Sequence, residues 1–292
     1  MKYSDNVYKE AIVTLIDDIH YSNASYSSKV ANIRKYAELI VRRLLHYDTS
    51  KQLTLGNYKT QERLAKKGCT EKIFVDALSA INKNGSNRTH TQIISEATKE
   101  EYDSMVTHLF DLYAYLFVDY FKKNTFGSNQ DILRSFSILP IEIRYTALLC
   151  LYGLFPNNTS IIDKLVLATV KAKGTDFCIE WIEEHKDKLE NITVEFTSTD
   201  YLELIERHGV VAAINIAKEK TKNMYEKSIN NANITGSNYV PLYTTMEEAL
   251  VFYNENGIVA GTSQGIVDFN DLMYFVYLGR KEKIKEIPET EA

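Results

Sequence analysis

Apolar residues recur along this chain at intervals of three and four, the period of an amphipathic helix. In Lys2 to His20, Val7, Ala11, Leu15 and Ile19 share one face and polar residues take the other. A stretch rich in Ser, Asn and Tyr, Tyr21 to Ser28, interrupts the pattern. It resumes over Val30 to Tyr47 with Ile33, Ala37, Ile40, Val41, Leu44 and Leu45. Asn57 to Lys67 predicts a third helix, closed by Gly68 as a natural C-cap. Glu71 to Asn82 predicts a fourth, apolar at Ile73, Phe74, Ala77, Leu78 and Ile81. It runs into a dense polar cluster, Lys83 to His90, whose Gly, Asn and Ser residues predict a turn. Lys99 to Lys123 is a long, strongly apolar helix. Its Phe110, Tyr113, Phe117 and Tyr120 recur at core spacing, which favours a packed seam over a stacking surface for single-stranded nucleic acid.

Asn124 to Asn129 is the clearest boundary in the chain. Beyond it, Pro140 opens a helix carrying Ala147, Leu148 and Leu151, and Phe155 to Thr159 is a turn. Ile161 to Lys173, closed by Gly174, then Phe177 to Leu189 and Asp200 to Lys227, continue the helical alternation. Ile229 to Tyr239 reads as a polar loop. Thr245-Met246-Glu247-Glu248 fits a capping box ahead of Ala249 to Tyr253. Gly257, Gly261 and Gly265, followed by the apolar run Leu272 to Leu278, suggest a hairpin or a docked arm, and the charged end Lys281 to Ala292 a frayed tail. The expected architecture is all-α, in three parts: a helical bundle over 1–125, a small helical domain over 126–235, and a C-terminal arm over 236–292.

Composition narrows the functional classes. Glycine (12) and proline (4) are scarce in 292 residues, which argues against sandwiches, barrels and glycine-looped nucleotide folds. A net charge of −5 leaves no whole-molecule footprint for duplex nucleic acid, although a local basic patch is compatible with it. Lys2, Asp5, Lys9, Glu10, Asp17 and Asp18 break up any signal-peptide core, and no stretch approaches the roughly 20 apolar residues of a membrane span. Cys69, Cys150 and Cys178 are odd in number and far apart, so buried thiols in a reducing compartment are expected. A cytoplasmic location follows. No dinucleotide, P-loop, serine-hydrolase or zincin motif is present, and neither metal nor cofactor is expected. His20 and His46 sit near helix ends, where positive charge is favourable. His108, His185 and His208 have no neighbours at metal spacing.

Three segments of the first part carry a resemblance. They are Ile33-Arg34-Lys35-Tyr36-Ala37-Glu38-Leu39-Ile40-Val41-Arg42-Arg43-Leu44-Leu45, then Thr54-Leu55-Gly56, then Ala77 through His90. In order and spacing they resemble the HEPN superfamily, the higher eukaryote and prokaryote nucleotide-binding domain, over residues 1–125. The nearest similarity is to bacterial helical domains found beside restriction and defence proteins. The resemblance implies a helical bundle, a homodimer contact through its last helix and, in the family's ribonucleases, metal-independent RNA cleavage. Those enzymes use an arginine followed by four to six residues and then a histidine.

His90 takes the histidine position, and an imidazole with a pKa near 6.5 suits acid–base work on a ribose hydroxyl. The arginine spacing falls on Gly85, Asn84 or Lys83. Lys83 keeps the charge but lacks the bidentate fork of arginine. Arg88, two residues before His90, would face about 200° away on a continuous helix. Arg34 and Glu38, at i and i+4, can pair and orient the polar cluster; a solvated ion pair is the plainer alternative. Asn87 and His90 likewise fit either catalysis or the hydrogen bonding of a helix junction.

Two functions follow. One is an RNA-directed effector of a defence or toxin–antitoxin system. Its acid/base group is His90, with Lys83 and Asn87 beside it and Arg88, Arg34 and Glu38 binding substrate. The other is a non-catalytic adaptor that dimerises through the first part and holds a protein partner from the same operon.

Overall fold

The computed structural model describes residues 6–48, 50–89, 95–193, 198–220, 223–239 and 241–283. Among them are fifteen α-helices and no strand; one isolated antiparallel bridge joins Thr193 and Asn223. The fold is all-α. The chain divides into two compact units: Met1–Cys150 with Tyr243–Ala292, and Leu151–Leu242. The Asn124–Asn129 turn therefore lies inside the first unit, between its fifth and sixth helices.

The first unit holds α1 (Asn6–His20), α2 (Tyr26–Leu45), α3 (Tyr58–Lys66), α4 (Lys72–Thr89), α5 (Lys99–Lys123), α6 (Gln130–Phe136) and most of α7 (Ile141–Leu154). Local chemistry sets their ends. The Ser25 side chain accepts from the Ser28 amide at the start of α2, and Asn57 accepts from Lys59 at the start of α3. Gly68, at φ +83°, follows the last turn of α3 in a conformation that costs glycine little. Thr98 and Glu101 close a reciprocal capping box on α5.

Helix α5 is the axis of this unit and packs on α2 and α4. Of the expected seam, Tyr113, Phe117 and Tyr120 are buried and Phe110 is half-buried. Tyr113 meets Tyr36 edge-on at 5.9 Å between ring centroids, and Phe117 meets Phe136 at 5.5 Å. Such pairs contribute roughly 0.5–1.5 kcal/mol beyond the burial itself.

The second unit takes the end of α7 with α8 (Thr159–Lys173), α9 (Thr175–Glu184), α10 (Lys186–Glu190), α11 (Ser198–His208), α12 (Val210–Lys220) and α13 (Met224–Asn238). Ile161, Leu165, Cys178, Ile182 and Leu189 form its core. The segment expected to be a polar loop, Ile229 to Tyr239, is instead most of α13. Asn223 caps that helix, and Met224, Ser228 and Ala232 bury one stripe four residues apart, which overrides the weak helix propensity of its asparagines.

The chain then returns to the first unit with α14 (Met246–Asn256) and α15 (Gln264–Tyr277). Among the described residues of the C-terminal arm no hairpin forms. Ser263 caps α15, and Phe269, Leu272, Met273 and Val276 recur at helical spacing on its buried face. The extended piece at Val259 has the side chain of Asn270 where a partner strand would be: Val259 N–H donates to Asn270 Oδ1 at 2.9 Å, and Asn270 Nδ2 donates back at 2.8 Å. After α15, Gly279 (φ +80°) lies so close to α1 that a Cβ would stand 3.0 Å from the Val13 Cα.

Candidate functional site

The polar cluster after Asn82 is not a turn. Helix α4 continues through it to Thr89, and Gly85 serves close helix packing instead of a left-handed bend. A Cβ at Gly85 would lie 2.5 Å from Arg34 Cβ and 2.7 Å from Arg34 Cδ, so the arginine stem lies flat across the glycine. One turn earlier on α4, Asn82 Nδ2 would stand 3.0 Å from a Cβ at Gly56. The three segments that carry the resemblance therefore meet along α4.

Arg34 Nη2 and Glu38 Oε1 are 3.6 Å apart, an ion pair without hydrogen-bond geometry. The side chains are 17% and 25% exposed, so this is no solvated surface pair. Burial raises the Glu38 carboxyl above its ordinary range, with Arg34 pulling the other way. Arg34 Nε is buried and has no hydrogen-bond partner among the described residues. Lys83 is exposed, on the far side of α4 from the glycine, as two residues of helical rotation require. Asn87 and Arg88 lie on the last turn of α4, with side chains outside the described set. His90 lies outside the described residues altogether.

A cavity of about 290 Å³ lies beside this face, lined by Val30, Asn84, Ala97, Glu100, Glu101 and Ser104. Val30 is one turn before Arg34 and Asn84 is next to Gly85. The two glutamates make this wall acidic.

Two further polar sites carry no signal in the sequence. The first is buried. Arg280 follows α15 with a side chain only 2% exposed, and its Nη1 lies 3.2 Å from Glu247 Oε1. Glu247 also accepts from the Tyr21 hydroxyl at 2.6 Å. Arg280 Nε and Nη2, the Tyr36 and Tyr113 hydroxyls and His20 Nε2 are buried without hydrogen-bond partners among the described residues. Tyr113 lies close to both Arg280 and Tyr36 without hydrogen-bond geometry to either. Burial opposes the Arg280 charge, yet Tyr113 and Glu247 hold it firmly protonated. His20 was expected to welcome charge at its helix end. Instead burial, then the nearby Arg280 and Lys29, lower its pKa to about 2, so it stays neutral.

The second is a cavity of about 440 Å³ where α2, α3 and α5 all end. Arg43 pairs with Asp271 at 2.7 Å and Lys123 with Asp119 at 2.8 Å. Lys67 donates to the Leu44 carbonyl. Cations belong at three helix C-termini on electrostatic grounds alone. His46 departs from expectation here too: burial, Lys67 and Lys123 lower its pKa.

Cys69, Cys150 and Cys178 are free thiols, the first and last buried. Among the described residues, no group of three or more His, Cys, Asp or Glu side chains is placed to hold a metal ion, and no helix is long and apolar enough to cross a membrane. No protein-family model, no curated protein and no solved structure matches the chain.

Proposed function

We propose that this protein is an RNA-directed effector whose first unit binds or cleaves RNA without a metal, with His90 as the acid/base group. The convergence of the three HEPN-like segments on α4 supports this reading: Gly56 against Asn82, and Arg34 with Glu38 against Gly85. It brings the Arg34 guanidinium to the helix whose sequence continues into His90. The test is incubation of the full chain with total RNA in EDTA across pH 6–8, alongside His90→Ala. Cleavage by the parent and not by the variant supports the enzyme; equal behaviour of the two refutes it.

A second reading, a non-catalytic adaptor, rests on the second unit. Leu202 on α11 is 65% exposed, and Val210 and Val211 on α12 are 56% and 75% exposed. Exposed aliphatic residues on adjoining helices suit a protein partner. Under this reading His90→Ala changes nothing, whereas Val211→Asp abolishes co-purification of the partner.

A further inference from the structure

Charge is not spread evenly along this chain. Residues 42–67, from the end of α2 through α3, carry seven arginines and lysines against Asp48 and Glu62, a net +5. The whole chain is −5, so all its other residues together carry −10. We infer that this segment is a docking surface for single-stranded RNA, holding the phosphate backbone with its cations and stacking a base on Tyr58. Only the choice of RNA as the strand rests on the RNA-directed reading above; neither Arg34 nor His90 takes part.

The fold draws these cations onto one patch. Lys51 Nζ lies 4.7 Å from the ring centroid of Tyr47, and the Arg63 guanidinium lies 5.6 Å from the same ring. Arg42 Nη1 donates to the Asp48 and Lys51 carbonyls, both at 2.8 Å, which pins the loop to α2. On α3, Lys59, Arg63 and Lys66 stand at i, i+4 and i+7, a stripe about 10 Å long. Thr60 and Leu64 bury the adjacent face. Arg43 is paired with Asp271 and Lys66 with Glu62. Arg42, Lys51, Lys59, Arg63 and Lys67 have no carboxylate partner among the described residues. Beyond the effect of burial, Lys67 and Lys123 hold down the pKa of His46, the mark of a positive potential at the end of α2.

Helix ends account for only part of this. Arg42, Arg43, Arg63 and Lys66 lie in the last turns of α2 and α3, where the dipole favours cations. Lys51 lies in the loop, and Lys59 in the first turn of α3, where the dipole opposes it. Both are exposed, and a polyanion gives both a use. Tyr58, beside Lys59, is 78% exposed. Only an unpaired base can lie on its ring, which favours a single strand over a duplex or a lipid surface.

The test is binding of a labelled uridine 12-mer to the full chain at about 50–200 mM salt. Lys51→Gln with Lys59→Gln and Arg63→Gln should weaken binding at least tenfold at the lower salt. The log–log salt slope should fall by about 2, at about 0.7 for each lost phosphate contact. Lys51→Gln with Lys59→Gln alone spares the Arg63–Tyr47 contact and should lower the slope by about 1.4. Tyr58→Ala should weaken binding about fivefold or more with the slope unchanged, because stacking is not ionic. Lys99→Gln with Lys186→Gln and Lys188→Gln removes the same charge elsewhere and should leave the parental slope. Circular dichroism and Tm establish that each variant is folded. Folded patch variants with parental affinity and slope overturn the surface while leaving His90-dependent cleavage intact, and an equal loss in the control triple overturns it too. A duplex of the same length bound as tightly as the 12-mer overturns it, as do phosphatidylserine vesicles bound through these lysines by a chain that ignores the 12-mer. A parent that binds through the patch and cleaves nothing upholds the surface and removes only the enzyme.

Discussion

Arg280 Nη1 lies 3.2 Å from Glu247 Oε1, which ties the segment following α15 to the first turn of α14. The same carboxylate accepts from Tyr21 at 2.6 Å, and the Lys281 amide donates to the Tyr21 oxygen at 3.2 Å. One glutamate therefore joins the end of α1 to the end of α15. Its replacement by alanine strands a buried guanidinium without a counter-charge. Glu247→Ala should cost about 3 kcal/mol in urea unfolding at pH 7. Arg280→Met leaves Glu247 with Tyr21 and partial access to water, and should cost less. Equal costs would mean that the buried charge is not the dominant effect.

His20 makes stability fall on acidification. Its folded pKa is lowered to about 2 from 6.5, so the unfolded chain binds a proton that the folded chain refuses. Its contribution is constant above pH 6.5 and is lost as pH falls through the window between 6.5 and about 2, by up to about 1.4 kcal/mol per pH unit. Denaturant unfolding of the parent and of His20→Asn between pH 7 and 4 should give a shallower slope for the variant. Parallel slopes would place a proton on His20 in the folded state.

Two helical glycines should respond in opposite directions to the same substitution. At Gly153, near the end of α7, nothing lies within 4 Å of an added Cβ, so Gly153→Ala should stabilise by up to about 1 kcal/mol through helix propensity. At Gly85 the new Cβ would meet Arg34 Cβ at 2.5 Å. Gly85→Ala should therefore destabilise by about 1–3 kcal/mol, the scale of an overpacked contact, in spite of the same gain in propensity. Paired urea titrations check both signs.

The thiols should be inert in the folded chain. Burial pushes Cys69 up and raises both Cys150 and Cys178 to about 11. Reaction with a chromogenic disulfide at pH 8 should be slow in buffer and immediate in urea, because the thiolate is the attacking species.

These expectations divide according to whether a residue acts locally. Gly68, Thr98 with Glu101, and Thr245, whose side chain accepts from the Glu248 amide, act on residues a few positions away, and helix ends near them are readable from sequence. The i,i+4 relation of Arg34 and Glu38 is equally local. Gly85 is ambiguous: the same residue type serves a left-handed turn or the close approach of a distant helix, and only the position of Arg34 decides between them. For α13 and α15 the outcome turned on a buried stripe, with Met224, Ser228 and Ala232 in one and Phe269, Leu272 and Met273 in the other. Asparagines and glycines around those stripes point toward loops.

Arg280 directly precedes the charged run Lys281 to Ala292, and no local pattern around it signals burial. Its burial depends on Glu247, Tyr21 and Tyr113, each contributed by a different stretch of chain. His20 shows the same effect in reverse. A helix C-terminus favours its charge, but loss of water and a buried arginine outweigh that preference.

The return of α14 and α15 to the first unit sets an order on biosynthesis. While α1 to α6 emerge from the ribosome, the helix that meets Tyr36 through Phe275 and Phe117 through Phe269 has not been translated. The whole of Leu151–Leu242 is made in the interval and can close its own core first. The nascent N-terminal bundle therefore waits with an aromatic face uncovered, in the state most exposed to aggregation and to chaperones. Release of the last helices from the exit tunnel, rather than completion of the first six, is the event that seals it.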